Sequence, residues 1–121
     1  MSALPSNFNA IDRSARQRRR IVAVAARASV TNIYEVPQGK RLEIESISIC
    51  NTNGGTITLR LYHLGTGETA SVSNALYYDF AARGFTTTID DTRRYLNAGD
   101  KIAVSASTAS VLGISIYGTE A

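Results

Sequence analysis

The sequence predicts an all-β fold, a single antiparallel β-sandwich of about seven or eight strands with jelly-roll-like character, preceded by a basic N-terminal arm. Three observations predict it. Apolar and polar residues alternate in most segments after Ser29, turn residues separate these segments, and no helical crossover lies between them. At 121 residues the chain is sized for one domain. We assign the arm to residues 1–27 and the sandwich to residues 28–121.

The clearest strand is TITLRLYHL, residues 56–64, in which Ile57, Leu59 and Leu61 point to one face. The segment FTTTID, residues 85–90, alternates in the same way, with Phe85, Thr87 and Ile89 on a shared face. The other strand candidates are residues 30–36, 41–51, 75–80, 101–106 and 111–118.

Two local details are also predicted. In RLEIESISICN, residues 41–51, the apolar phase set by Leu42 and Ile44 does not continue, so we expect a β-bulge near Glu45 and Ser46. Directly afterwards, Asn53-Gly54-Gly55 predicts a tight turn, because Asn and Gly adopt positive φ values at little cost. We expect this turn to close a hairpin.

The charge is concentrated in the arm. Residues 1–27 carry six arginines against Asp12, a net charge of +5, whereas residues 28–121 carry seven basic and nine acidic side chains, a net charge of −2. Phe8, Ile11 and Ala15 lie at helical spacing, and Ser6 is a candidate helix cap. The arm is therefore expected to run from a short helix or loose segment into a strand near residue 21.

The arm arginines are the predicted partner-binding residues. Their guanidinium groups suit acidic patches or backbone carbonyls on a neighbouring subunit. Contact with nucleic acid is the alternative, although no basic stripe continues across the body. The residues concerned are Arg13, Arg16, Arg18, Arg19, Arg20 and Arg27.

Reactive side chains are few, and we expect no enzyme, metal or cofactor. His63 is the sole histidine and Cys50 the sole cysteine, so neither a disulfide within the chain nor a cysteine-rich metal site is expected. Asp79 and the pair Asp90-Asp91 are the best carboxylate candidates, and the neighbouring arginines favour an ion-paired loop there.

Surface tyrosines are the second predicted contact group. Tyr62, Tyr77 and Tyr117 are candidate interface residues, because amphipathic aromatic rings on a small sandwich often mark protein contacts. A lectin-like glycan surface is the alternative use of the same rings. We expect no signal peptide and no membrane span, since the longest uncharged stretch is rich in Ser and Thr.

The strand pattern from Asn32 onward resembles that of small β-sandwich structural proteins in the virions of tailed bacteriophages. The stretches that carry the resemblance are NIYEVPQGKRLEIESISICNTNGGTITLRLY, YLNAGDKIAVSAS and VLGISIYGTEA, which are distributed over residues 32–121, about three-quarters of the chain. The arginine-rich arm lies outside the matched stretches.

This resemblance implies a non-enzymatic virion component that forms homo-oligomers and binds capsid, neck or tail proteins. The first expectation is a head decoration or cement protein. A neck or tail accessory protein and a coat protein that contacts nucleic acid are the alternatives. Location in the virion, after assembly in the host cytoplasm, is the corresponding expectation.

Overall fold

The computed structural model describes residues 18–121, and its regular structure is almost entirely β. Within that range no helix is long and apolar enough to cross a membrane. Among residues 18–121 one 3-10 turn is present, at Val72–Asn74. The strands are β1 Arg19–Ala25, β2 Thr31–Glu35, β3 Leu42–Asn51, β4 Ile57–Leu64, β5 Ala75–Ala82, β6 Thr87–Asp90, β7 Arg94–Leu96, β8 Lys101–Ala106 and β9 Leu112–Glu120.

Two antiparallel sheets pack face to face. The five-stranded sheet has the order β1-β9-β3-β6, with β7 also paired to β3, and the four-stranded sheet has the order β2-β8-β4-β5. Pairing is nested, because β1 pairs with β9, β2 with β8, β3 with β6 and β7, and β4 with β5. A long hairpin rolled into two sheets has this connectivity, which is that of a jelly roll. The predicted all-β sandwich is confirmed, with the three-residue β7 as an additional strand.

The strand predicted near residue 21 is β1, and it belongs to the sheet. Its residues pair with β9 from Arg19 opposite Gly118 to Ala25 opposite Gly113. The sandwich therefore begins at residue 19, inside the segment that the sequence assigns to the arm. The predicted helix and two of the arm arginines, Arg13 and Arg16, lie outside the described residues.

The core is formed by the inward side chains of both sheets. In the five-stranded sheet, Ile47 and Ile49 of β3 lie opposite Ile116 and Ile114 of β9, and all four are fully buried. Burying a side chain of this size contributes about 1.5–3 kcal/mol. The opposite sheet supplies fully buried residues at alternating positions of β4 and β8, namely Leu59, Leu61, Ile102 and Val104.

The predicted β-bulge is present in β3. The register between β3 and β9 shifts between Ile44 and Ser46, so one extra residue is accommodated there. Ile44 and Ile47 can then both point into the core. Glu45 keeps its side chain at the outer surface, where Thr119 Oγ1 donates a hydrogen bond of 2.9 Å to its carboxylate.

The Asn53-Gly54-Gly55 segment does not close a hairpin, and that prediction was wrong. It connects β3 to β4, and these two strands belong to different sheets. Both edges of β3 are already occupied, by β9 on one side and by β6 and β7 on the other. The turn therefore carries the chain across the sandwich.

Candidate protein-binding surface

The outer surface of the five-stranded sheet contains a block without charged side chains. Strand register sets two rows of directly opposed residues across β1, β9, β3 and β6. Opposed residues on neighbouring strands share one face of a sheet, so these eight residues form a single surface, here called the neutral face. One row is Ala23, Ser115, Ser48 and Ile89, and the other is Ala25, Gly113, Cys50 and Thr87.

Two large apolar side chains are exposed at the β6 edge of this surface. Phe85 is 77% exposed and Ile89 is 63% exposed. The register places Thr87 and Ile89 on one face, as predicted, and that face is the outer one, whereas Phe85 precedes β6 and lies outside the paired residues. Residues 88 and 90 of β6 consequently face inward.

Asp90 is the charged residue of β6 that faces the other sheet, and its hydrogen bonds account for this position. Its carboxylate accepts hydrogen bonds from Tyr77 Oη at 2.5 Å, from the Thr92 backbone N–H at 2.9 Å and from Arg94 Nη2 at 3.2 Å. Partial burial alone would raise the pKa of Asp90. The hydrogen bonds from Tyr77 and Thr92, together with the charge of Arg94, outweigh burial and hold this pKa well below its ordinary value.

This network predicts a pH dependence of stability. Because the pKa of Asp90 is lower in the folded state, its contribution is complete above the ordinary carboxyl pKa of about 3.9 and is lost as the pH falls below it. We expect the free energy of unfolding to fall more steeply between about pH 5 and pH 2 in the unmodified protein than in D90N, measured by urea denaturation. D91N, which changes the exposed neighbour, is the control and should keep the steep dependence. Equal slopes for D90N and the unmodified protein would contradict the assignment.

A buried amide holds the loop that presents Phe85. Asn51 is 1% exposed, and its Nδ2 donates hydrogen bonds to the backbone carbonyls of Gly55, Ala82 and Arg83 at 2.9–3.0 Å. Its Oδ1 accepts the Asn53 N–H at 2.8 Å. Phe85 has a left-handed φ of 54°, a conformation that is costly for a bulky residue, and its N–H donates to the Asn53 carbonyl. The exposed ring is therefore presented by a fixed loop.

The opposite end of the outer surface is charged. Glu43, Glu45 and Tyr95 line a shallow cleft there together with Asn97 and Thr119. Arg93 donates a short hydrogen bond to Glu43. The outer surface of this sheet is thus graded, with carboxylates and arginines at one end and uncharged small or apolar residues at the other.

Two of the predicted partner-binding arginines bind carboxylates of their own chain. Arg18 Nε lies 3.5 Å from Glu45 Oε1, and Arg19 Nη2 lies 3.4 Å from Glu120 Oε2. Glu120 also accepts a short hydrogen bond from Tyr34, and burial followed by this contact raises the pKa of Tyr34 to about 12. The structure therefore uses these arginines to fix the start of β1.

The other two arginines of the predicted arm in the described range, Arg20 and Arg27, are exposed. Among residues 18–121 no carboxylate lies within ion-pair distance of either one. They are available for contacts with a partner.

The predicted interface tyrosines have different environments. Tyr62 is only 4% exposed, so its expected surface position was wrong: it points away from the core, but Leu64, Ala70 and Ala75 pack against it. Tyr77 is half-buried and donates to Asp90. Tyr117 is half-buried on the outer surface, opposite Arg20.

The reactive residues that the sequence singles out do not converge. His63 Nε2 lies 2.8 Å from Asp100 Oδ2, and Asp79 is paired with Arg60 at 2.7 Å. Cys50 is exposed on β3, in the sheet opposite His63. Within the part of the chain that the structure describes, no group of three or more His, Cys, Asp or Glu side chains is arranged to hold a metal ion.

Comparisons with known proteins place the chain in no family. No protein-family description matches it, and no curated protein matches it. A solved structure described as the structure of infectious bursal disease virus Gx strain is similar with a TM-score of 0.35 and 12% sequence identity. That similarity covers 86% of this chain and 30% of the viral chain.

Proposed function

We propose that this protein is a non-enzymatic structural component of a virion, and that it attaches to a neighbouring subunit through the neutral face and the Phe85 loop. The observation that carries the proposal is the exposure of Phe85 and Ile89 beside a sheet surface without charge. Aromatic and aliphatic side chains exposed in this way mark protein contact sites, since water-exposed apolar patches are otherwise costly.

The surface is built for rigid attachment. The neutral face lies on paired strands, and the Asn51 amide ties down the loop that carries Phe85. A rigid surface loses little conformational entropy on binding, so more of the contact energy contributes to affinity. Repetition of such contacts by the symmetry of a particle would turn each modest contact into firm attachment.

The resemblance of the sequence to sandwich proteins of tailed bacteriophages supports a tailed-bacteriophage virion as the particle to which this protein belongs. Within that group we propose a head decoration or cement protein, assembled in the host cytoplasm as a homo-oligomer that binds capsid subunits. A neck or tail accessory protein is the second candidate, because the same surface would serve there. Arg20 and Arg27 are proposed to add contacts to an acidic partner.

A coat protein that contacts nucleic acid is the alternative favoured by the exposed arginines. Arg18 and Arg19 are engaged by Glu45 and Glu120, which reduces the charge that is left for phosphates. A linear and steep fall of nucleic-acid affinity with salt would support this alternative. A glycan-binding surface would not include Tyr62, because other residues cover that ring.

Rebinding of the purified protein to particles that lack it tests the proposal. We expect the double variant F85S/I89S to bind about a hundredfold more weakly, since each exposed anchor is worth about 1.4 kcal/mol or more when buried by a partner. Particle-bound protein after sedimentation gives the affinity. Unfolding in urea should be little changed, because both side chains are exposed.

Val72→Ser is the matched control for that experiment. Val72 is 70% exposed in the 3-10 turn, away from the neutral face, and its loss should leave binding unchanged. Equal binding by F85S/I89S and V72S would contradict the proposed attachment surface.

A further inference from the structure

Both edges of the five-stranded sheet are open to strand addition. β1 lies at one edge and β6 at the other, and among residues 18–121 no strand pairs with the outer side of either one. Such edges present backbone N–H and C=O groups that can pair with another chain. Proline and charged side chains are two of the features that commonly protect an edge, and residues 21–25 of β1 and 87–89 of β6 contain neither.

The strand directions allow β6 of one copy to pair with β1 of another. Each of the pairs β1–β9, β9–β3 and β3–β6 is antiparallel, so β1 and β6 run in opposite directions at the two edges. A second copy placed beside the first in the same orientation would therefore add its β1 to β6 as a further antiparallel strand. The five-stranded sheet of one copy would continue into that of the next.

The register of the sheet shows which residues would lie opposite each other in this arrangement. Across the four strands, Ala23 is level with Ile89, and Ala25 is level with Thr87. A neighbour's Ala23 would therefore lie beside Ile89, which is 63% exposed in the single chain. Contact between these two apolar side chains would remove part of the Ile89 surface from water, which is favourable.

The same register brings an arginine and an aspartate to one level. Asp91, the residue after β6, is level with Ser46 of β3. Ser46 pairs with Tyr117 of β9, and Tyr117 pairs with Arg20 of β1. Arg20 and Asp91 are both exposed, and among residues 18–121 neither has an oppositely charged group within ion-pair distance. In the continued sheet, Arg20 of one copy would lie opposite Asp91 of the next.

Charge also decides against pairing of an edge with its own copy. Residues 18–27 contain four arginines and no carboxylate, so two β1 strands side by side would have no opposite charge to pair with. Two β6 strands would likewise offer Asp91 no arginine from the neighbouring strand. In the β6–β1 arrangement Arg19 and Arg94 are level, but each already binds a carboxylate of its own chain.

We propose that β6 of one copy pairs with β1 of a second copy, with Ile89 opposite Ala23 and Asp91 opposite Arg20. The two copies contribute different edges, so further copies can add one after another. The inference rests on the proposed function in one respect, because it names the contact that builds the proposed homo-oligomer. Edge pairing uses backbone groups, which leaves the neutral face and Phe85 free to bind a capsid subunit.

The strength of this contact depends on the particle. The paired segment is only about five residues long, well below the size of a stable protein interface, so association in solution is weak. A particle that holds the copies side by side raises their effective concentration and strengthens the pairing.

Disulfide formation tests the register. Opposed residues on antiparallel strands have Cα atoms about 4.5–5.5 Å apart, a separation that a disulfide can span. We expect A23C/I89C/C50S, oxidised at high protein concentration, to give a ladder of linked dimers, trimers and larger species. A23C/C50S and I89C/C50S, each with one thiol, are the controls and should link at least about tenfold more slowly, because their thiols meet only by random collision. Equal rates of linkage in the three variants, or no ladder, would overturn the proposal.

Charge reversal tests the pair of Arg20 and Asp91. R20E and D91K should each weaken self-association about tenfold, because like charges would then lie opposite each other. R20E/D91K should restore the association of the unmodified protein. Sedimentation velocity over a range of concentrations measures it. K40E, which makes the same change in net charge at an exposed residue between β2 and β3, should associate normally. Equal association of R20E and K40E, or no recovery in R20E/D91K, would overturn the proposal.

The two proposals fail separately. Normal particle binding by F85S/I89S, with association restored in R20E/D91K, would remove the attachment surface and leave the edge pairing intact. Weakened particle binding by F85S/I89S, without a disulfide ladder from A23C/I89C/C50S, would remove the edge pairing and leave the attachment surface intact.

Discussion

Replacing Gly118 with alanine is expected to lower the free energy of unfolding by about 3 kcal/mol or more, the range of severe overpacking. A Cβ at this position would lie 2.1 Å from the Glu43 carbonyl oxygen and 3.1 Å from the Ile44 Cα. These are backbone atoms of β3 beside the bulge, so relief would require the two central strands of the sheet to separate. Urea denaturation, followed by fluorescence or circular dichroism, measures this change in the free energy of unfolding.

Gly113→Ala is the matched control in the same strand. A Cβ there meets Cys50 Cβ at 3.9 Å, an ordinary contact on the outer surface. The change should alter the free energy of unfolding by no more than about 0.5 kcal/mol, the range of benign surface substitutions. Equal free energies of unfolding for G118A and G113A would contradict the close packing of β9 against the bulge in β3.

Asn51→Ala is expected to cost about 3 kcal/mol, because it leaves several buried backbone groups without hydrogen bonds. The side chain donates to three carbonyls and accepts one N–H, and it links the loop after β3 to the loop before β6. Asn51→Asp should be at least as damaging, since a carboxylate would face the carbonyl oxygens. Denaturation in urea gives the loss, and faster amide exchange at Phe85 would show that the presented loop has loosened.

Thr52→Ala separates this role from ordinary loop contacts. Thr52 is exposed, and its hydroxyl donates one hydrogen bond to the Val111 carbonyl at 2.9 Å. We expect a loss of about 1 kcal/mol or less, the usual net value of such a bond. A similar loss of unfolding free energy in T52A and N51A would contradict the role of the Asn51 amide in holding the two loops together.

The sequence predicts the positions of the strands in this protein better than it predicts which strands pair with one another. Alternation identifies β4, β8 and β9, and the broken phase of residues 41–51 locates the bulge, because both depend only on near neighbours along the chain. The partner of β3 is not local. Its two edges are occupied by strands from much later in the chain, which is why the turn at Asn53 joins two sheets.

In the candidate surface, too, the features that depend on residues distant in the chain could not be predicted from the sequence. Exposure of Ile89 depends on Asp90, whose inward position depends on Tyr77 in the other sheet and on Arg94. Tyr62 points outward as its phase predicts, but it is covered by residues that follow β4. The binding of Arg19 to a glutamate 101 residues away also has no local indication. No pattern of near neighbours indicates the exposure of the Phe85 ring, because the amide that fixes its loop comes from another strand.

The nested pairing has a consequence for biogenesis. β9 lies between β1 and β3, so the five-stranded sheet cannot form in full until β9, which follows the other described strands in the chain, has left the ribosome. Folding that depends on such distant pairings is slow, because the chain must form large loops before the contacts compensate for them. During synthesis the facing edges of β1 and β3 lack their common neighbour, and unpaired edges of this kind aggregate. Nascent chains should therefore depend on chaperones that shield strand edges until translation of β9 is complete.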